Sequence, residues 1–181
     1  SMRTKDTYGE KLGEAVRILL NKKKIDEITV NEILTKAKVS RYHFNKSFGT
    51  KMALVEWEYM HILAREGKNI LGSSCWSEAV YKKFCLYEKH LKFFQHIYQS
   101  TGIKHIRETN QRFVHDAYML MLRHEKADLD NPHILFAVEM TVVGGEEMTN
   151  RWVADGMKVP KEVMLVLFQE SIPKCICQYF K

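Results

Sequence analysis

The sequence predicts an all-α protein. Apolar residues recur three and four positions apart through most of the chain, from Leu12 to Phe168. No segment shows the two-residue alternation of a half-buried strand. Three Pro and nine Gly among 181 residues leave few turn-formers for a loop-rich β protein. At 45% hydrophobic and 28% charged residues, the chain can build a core and is not globally disordered. Its length fits one domain, or a small domain joined to a larger one.

The elements follow in order. Leu12, Ala15, Val16, Leu19 and Leu20 place a first helix over Tyr8 to Leu20. Lysines 22–24 close it, where cations suit the negative end of a helix. Ile25 and Ile28 flank a short connection. Thr29 followed three residues later by Glu32 fits a capping box, and Val30, Ile33, Leu34 and Ala37 form one apolar face behind it. Ser40 caps a third helix with Phe44 and Phe48 one turn apart, and Gly49 ends it. Thr50 caps a fourth, in which Leu54, Trp57, Met60, His61 and Ala64 share a face. After the break at Gly72–Ser74, helices are expected over residues 76–90, 93–98, 104–125, 131–155 and 160–179. Asn131 caps the fourth of these, with Pro132 at its first position. Pro173 should kink or interrupt the last.

Two short helices joined by a tight turn, Thr29 to Ala37 and Ser40 to Phe48, form a helix-turn-helix. Ala37 is small where the pair must approach, and Val39 can plug the angle between them. The face of the second short helix not needed for the core carries Arg41, Tyr42, Asn45 and Lys46, with His43 on its flank. Arg can bridge guanine, Asn can bridge adenine, and Thr29, Thr50 and Lys51 sit at or beside helix N-termini, where backbone N–H groups face anions. Charge points the same way. Residues 1–51 hold 12 Lys or Arg against six Asp or Glu, and the remaining 130 residues are balanced, so the whole net charge of +6 lies in the first quarter. A basic module on a neutral body predicts a polyanion-binding head.

Other chemistries are poorly supported. The run from Val163 to Phe168 has six apolar residues, against roughly 20 needed to cross a bilayer. The four cysteines, at 75, 85, 175 and 177, lack paired CxxC spacing and read as free thiols in a reducing cytoplasm. The eight histidines show no HxxxH or HExxH pattern, and neither a glycine-rich phosphate loop nor a nucleophile elbow is present. The expectation is no metal, no cofactor, no membrane segment and no enzyme.

The order Thr29, Ala37, Val39-Ser40, Phe44, Phe48, Lys51, Leu54 resembles the tetracycline-repressor (TetR) family of transcription regulators. The resemblance is strong over about residues 8–58. Beyond, Gly144-Gly145, Trp152, Gly156-Met157 and Pro160 are similar to a branch that includes regulators related to dihydroxyacetone-kinase activators. Two departures stand out. Asn45 occupies a position where the family usually has tyrosine, and Lys38 one where glycine is usual.

The resemblance implies a helix-turn-helix DNA-binding domain at residues 1–50 and a helical ligand-binding and dimerisation domain at 51–181. It implies a repressor that binds double-stranded operator DNA through Thr29, Ser40, Arg41, Tyr42, His43, Asn45, Lys46, Thr50 and Lys51. It also implies a homodimer closed by the last two long helices; Gly144 and Gly145, costly in a helix interior, read either as admitting close backbones, with Trp152 and Phe168 as anchors, or as a kink or room for a ligand. A small-molecule effector would sit among Phe84, Tyr87, His90, Phe113, Phe136 and Met140, residues that also read as plain core. The alternative on the same fold is a coactivator controlled by a partner protein.

Overall fold

A computed structural model describes residues 2–181, with side chains from Tyr8 onward. The helices are α1 (Met2–Leu20), α2 (Val30–Ala37), α3 (Arg41–Ser47), α4 (Lys51–Leu71), α5 (Trp76–Lys89), α6 (Leu91–Tyr98), α7 (Lys104–His124), α8 (Pro132–Ala154) and α9 (Lys161–Glu170), with 3₁₀ turns at Ile25–Glu27 and Cys177–Tyr179. No strand occurs among the described residues. Contacts group the chain into two compact units. The first runs up to Lys68 and adds His90–Thr101; the second comprises Asn69–Lys89 and Gly102–Lys181.

In the first unit, α1 packs on α2, α3 and α6. Leu12, Val16 and Leu20 bury one face of α1, and Ile25, Ile33, Phe44, Leu54, Phe93 and Phe94 complete the core. Each such side chain contributes about 1.5–3 kcal/mol on burial. Polar bonds tie the 3₁₀ turn to the end of α6. The Ile25 N–H donates to Ser100 Oγ at 2.9 Å, and the Ser100 hydroxyl donates to the His96 carbonyl at 2.6 Å. Thr101 donates to the Asp26 carboxylate from its N–H (3.2 Å) and its hydroxyl (2.9 Å), which holds that carboxyl below its ordinary value.

The buried stripe of α4 differs from the expected one. It is Leu54, Val55, Glu58, Tyr59 and Ile62, while Met60, His61 and Ala64 are exposed. Periodicity alone passes over Glu58 because it is charged. Its charge is met by Arg17 of α1 at 3.3 Å. Trp57, half-buried, lies against α1 at two glycines: a Cβ on Gly9 would come within 3.2 Å of the indole, and one on Gly13 within 2.9 Å of it and 2.3 Å of a Glu58 oxygen.

In the second unit, the Asn131 side chain accepts from the His133 N–H at 3.0 Å and Pro132 opens α8, as the sequence indicates. Trp76, Leu122, Ile134, Val138 and Val142 form a core with Ile176 and Phe180. The last helix is shorter than expected. It stops at Glu170, with the Ser171 N–H donating to the Phe168 carbonyl, and Pro173 follows without an N–H to continue the ladder. The chain instead turns Ile176 and Phe180 into the core, where Phe180 meets the rings of Trp76 (5.8 Å) and Tyr118 (5.0 Å).

Candidate nucleic-acid interface

Helices α2 and α3 are fixed by local chemistry at both ends. Thr29 Oγ1 accepts from the Glu32 N–H at 3.2 Å, and Glu32 accepts from the Thr29 N–H at 2.8 Å, closing the capping box. Lys23 adds a 2.5 Å ion pair to Glu32. That bond and the Thr29 bonds hold the Glu32 carboxyl down at about 2. Between the helices, Lys38 adopts the left-handed conformation at φ 55°. This explains why glycine suits the position: only glycine lacks the Cβ that collides there. The Val39 N–H donates to the Leu34 carbonyl at 3.2 Å, and the Val39 side chain is buried at the turn.

Ser40 Oγ accepts from the His43 N–H at 3.3 Å, capping α3. The far end closes with Gly49 at φ 78°, its N–H donating to the Phe44 carbonyl. Phe44 and Ser47 are buried, and Phe48 leans on Trp57 at 5.7 Å. That anchoring leaves Arg41, Tyr42, Asn45 and Lys46 exposed on the opposite face. Tyr42 is 67% exposed, with the Lys46 ammonium 5.8 Å from its ring centre. Arg41 donates to the Asn31 side-chain oxygen of α2. His43 stacks on Tyr8 of α1 at 4.1 Å, so α1 reaches the flank of α3.

The hydroxyls of Thr29, Ser40 and Thr50 all act as caps; Thr50 Oγ1 accepts from the Ala53 N–H at 3.1 Å. Lys51 is placed otherwise than a free phosphate ligand. Its ammonium donates to the carbonyls of Ile25 and Ile28, each at 2.8 Å, and so ties the start of α4 to the 3₁₀ turn. Sequence reasoning missed that bond, and it missed Gly9 and Gly13. The four-residue spacing of those glycines is the signal that was there to read.

The six residues expected around an effector differ in burial and in the unit that holds them. Phe84 and Tyr87 are buried in α5. His90 belongs to the first unit, where its Nε2 lies 3.7 Å from Glu66. Phe113, Phe136 and Met140 are exposed. The cause is that α8 is apolar on two sides, with Ala137, Val138 and Val142 inward and Phe136, Met140 and Val143 outward. Trp152 and Phe168, expected at a dimer seam, pack instead on Phe84 within the chain, at 4.8 and 5.6 Å, and the indole N–H of Trp152 donates to the Val159 carbonyl. Gly145 also faces inward, since a Cβ there would lie 3.4 Å from Phe168, whereas Gly144 faces open space.

Among the described residues, no helix is long and apolar enough to cross a membrane, and no three His, Cys, Asp or Glu side chains are grouped to hold a metal ion. A helix-turn-helix with an exposed polar face, joined in one chain to a separate helical unit, defines a class of transcription regulators. Residues 74–174 match the family described as "Transcriptional regulator C-terminal region", the TetR C-terminal region, and the chain belongs to the TetR family of transcriptional regulators. Its fold is similar to that in the crystal structure of a tetR-family transcriptional regulator from Streptomyces coelicolor, with a TM-score of 0.67 and 18% identity over 90% of this chain and 79% of that one. No curated protein matches the sequence.

Proposed function

We propose that this regulator is a cytoplasmic, homodimeric repressor that binds a near-palindromic operator and releases it when a small molecule binds its body. Residues 1–50 carry the helices that meet DNA, and residues 51–181 carry effector binding and dimerisation. The observation that supports this best is α3: Phe44 and Ser47 pin one face, and Arg41, Tyr42, Asn45 and Lys46 stand exposed on the other. Lys36 and Lys38 are exposed on and just beyond α2. One recognition helix reads few bases, so two are needed, about 34 Å or one helical turn apart. The exposed apolar residues of α8 and α9, among them Phe136, Met140, Val143, Val163, Val166 and Leu167, support a seam between two copies.

Selection of bound duplexes from a random pool tests the reading. A recovered palindrome is the expected result. On it, Arg41→Ala and Asn45→Ala should relax sequence preference by about 1–3 kcal/mol per lost bidentate contact. Recovery of no common sequence sinks the proposal.

A further inference from the structure

The exposed side chains of α3 are not free arms. The Lys46 ammonium lies 5.8 Å from the ring centre of Tyr42 within the helix, and His43 stacks on Tyr8 of α1 at 4.1 Å. Arg41, the first residue of α3, is tied to another helix: its Nη2 donates to the side-chain oxygen of Asn31 in α2. Both residues are exposed, so this bond stands at the surface and not in the core. The backbone from which Asn31 reaches is fixed on both sides. Thr29 and Glu32 close the capping box around it, and the Glu32 carboxylate is taken up by Lys23 and by the Thr29 N–H.

We propose that Asn31 is a positioning residue for base recognition, holding the Arg41 guanidinium ready for one guanine of the operator. The inference rests on the reading of α3 as the recognition helix. The chemistry of the partner suits the task. Asn31 offers an amide oxygen where a carboxylate would cancel the charge, so it orients the guanidinium and leaves it cationic. A guanidinium carries several N–H donors in one rigid plane. A single bond to Asn31 leaves enough of them for the paired bonds that guanine O6 and N7 accept. An untethered arginine surrenders its rotamer freedom when it binds, whereas one already bonded to Asn31 has lost part of it beforehand. The gain falls on the bond to that one base and not on binding at large.

The test uses the full chain, the duplex recovered in the operator selection and every single-base-pair variant of that duplex. Arg41→Ala marks the base pair that Arg41 reads. At that pair Asn31→Ala should lower the preference for the operator base by about two- to tenfold, with other pairs unchanged. In an Arg41→Ala background Asn31→Ala should add nothing there, since the two act as one unit. Asn31→Asp keeps the acceptor and should retain the preference, while its added negative charge weakens matched and scrambled duplexes alike. Alanine favours a helix more than asparagine does, so thermal unfolding of Asn31→Ala should show α2 and its fold intact. A role confined to stability would lower affinity for all duplexes together and leave the preference at that pair untouched, which overturns the proposal. A lost preference at a different pair, additive with Arg41→Ala, makes Asn31 a base reader in its own right and also overturns it. Where Arg41→Ala relaxes a preference that Asn31→Ala leaves intact, this inference fails alone. Where Arg41→Ala relaxes none, it falls together with the recognition-helix reading.

Discussion

The guanidinium of Arg17 lies 3.3 Å from the carboxylate of Glu58, joining α1 to α4 in the first unit. Glu58 is 2% exposed and Arg17 28%. Removing Arg17 leaves a buried charge alone. Arg17→Met should therefore cost about 2–3 kcal/mol at neutral pH, less than for a fully buried pair because Arg17 keeps some water. Burial raises the Glu58 carboxyl above its ordinary 4.5, against the pull of Arg17. The folded chain then takes up a proton at a pH where the unfolded chain stays ionised. Stability from this group thus grows as pH falls through that window and is complete below 4.5. Denaturant unfolding at neutral and mildly acid pH should show the Arg17→Met deficit shrinking on acidification, and Glu58→Gln should remove this share of the pH dependence.

Glu32 behaves in the opposite sense. Its carboxyl is lowered to about 2 by Lys23 and Thr29, so what it adds to α2 is fully present above 4.5 and is lost as pH falls towards about 2. Carboxyl titration by NMR should place its midpoint near the lower value. Lys23→Met should move it upward, and Thr29→Ala should cost the fold about 1 kcal/mol as a lost cap.

Lys51 should act on DNA through the fold. Lys51→Met deletes two charge-assisted bonds to the Ile25 and Ile28 carbonyls and should lower stability by about 1.5–3 kcal/mol. Operator affinity should fall alike for matched and scrambled sites, with little change in the slope against salt. A salt slope reduced by about one unit with unchanged thermal stability would make Lys51 a plain phosphate contact instead.

Gly144 and Gly145 should separate assembly from folding. A side chain at Gly145 presses on Phe168, so Gly145→Leu should destabilise the unit. At Gly144 an added Cβ finds open space, so Gly144→Leu should disturb only a second copy. Phe136→Glu should shift a dimer toward monomer by the same logic. Light scattering alongside thermal unfolding reads both effects; a wild-type monomer at micromolar concentration removes the seam.

What the sequence disclosed and what it hid divide along physical lines. Ser40, Phe44 and Gly49 were legible because capping, helical spacing and left-handed ends are local. Glu58 was not, because its partner lies 41 residues away and a charge breaks an apolar stripe on paper but not in space. The flat face made by Gly9 and Gly13 depends on Trp57 arriving from another helix. The motif gave the identity of Lys51, while the destination of its protons depends on the path of residues 25–28. Around the expected effector residues, an apolar helix with two apolar sides offers no sequence signal for which side is inward. Phe136 and Met140 stand on the outward one.

Lys38 holds the turn between α2 and α3 at φ 55°, ψ 42°, a conformation that costs a side-chain-bearing residue about 1–2 kcal/mol. The cost is easily relieved by mutation. A lysine codon lies a single nucleotide from one for asparagine, which tolerates the left-handed region far better. Lys38→Asn would thus be a short evolutionary step to a sturdier fold, taken at the expense of a cation beside α3. Backbone ease and local positive charge thus pull this one position in opposite directions.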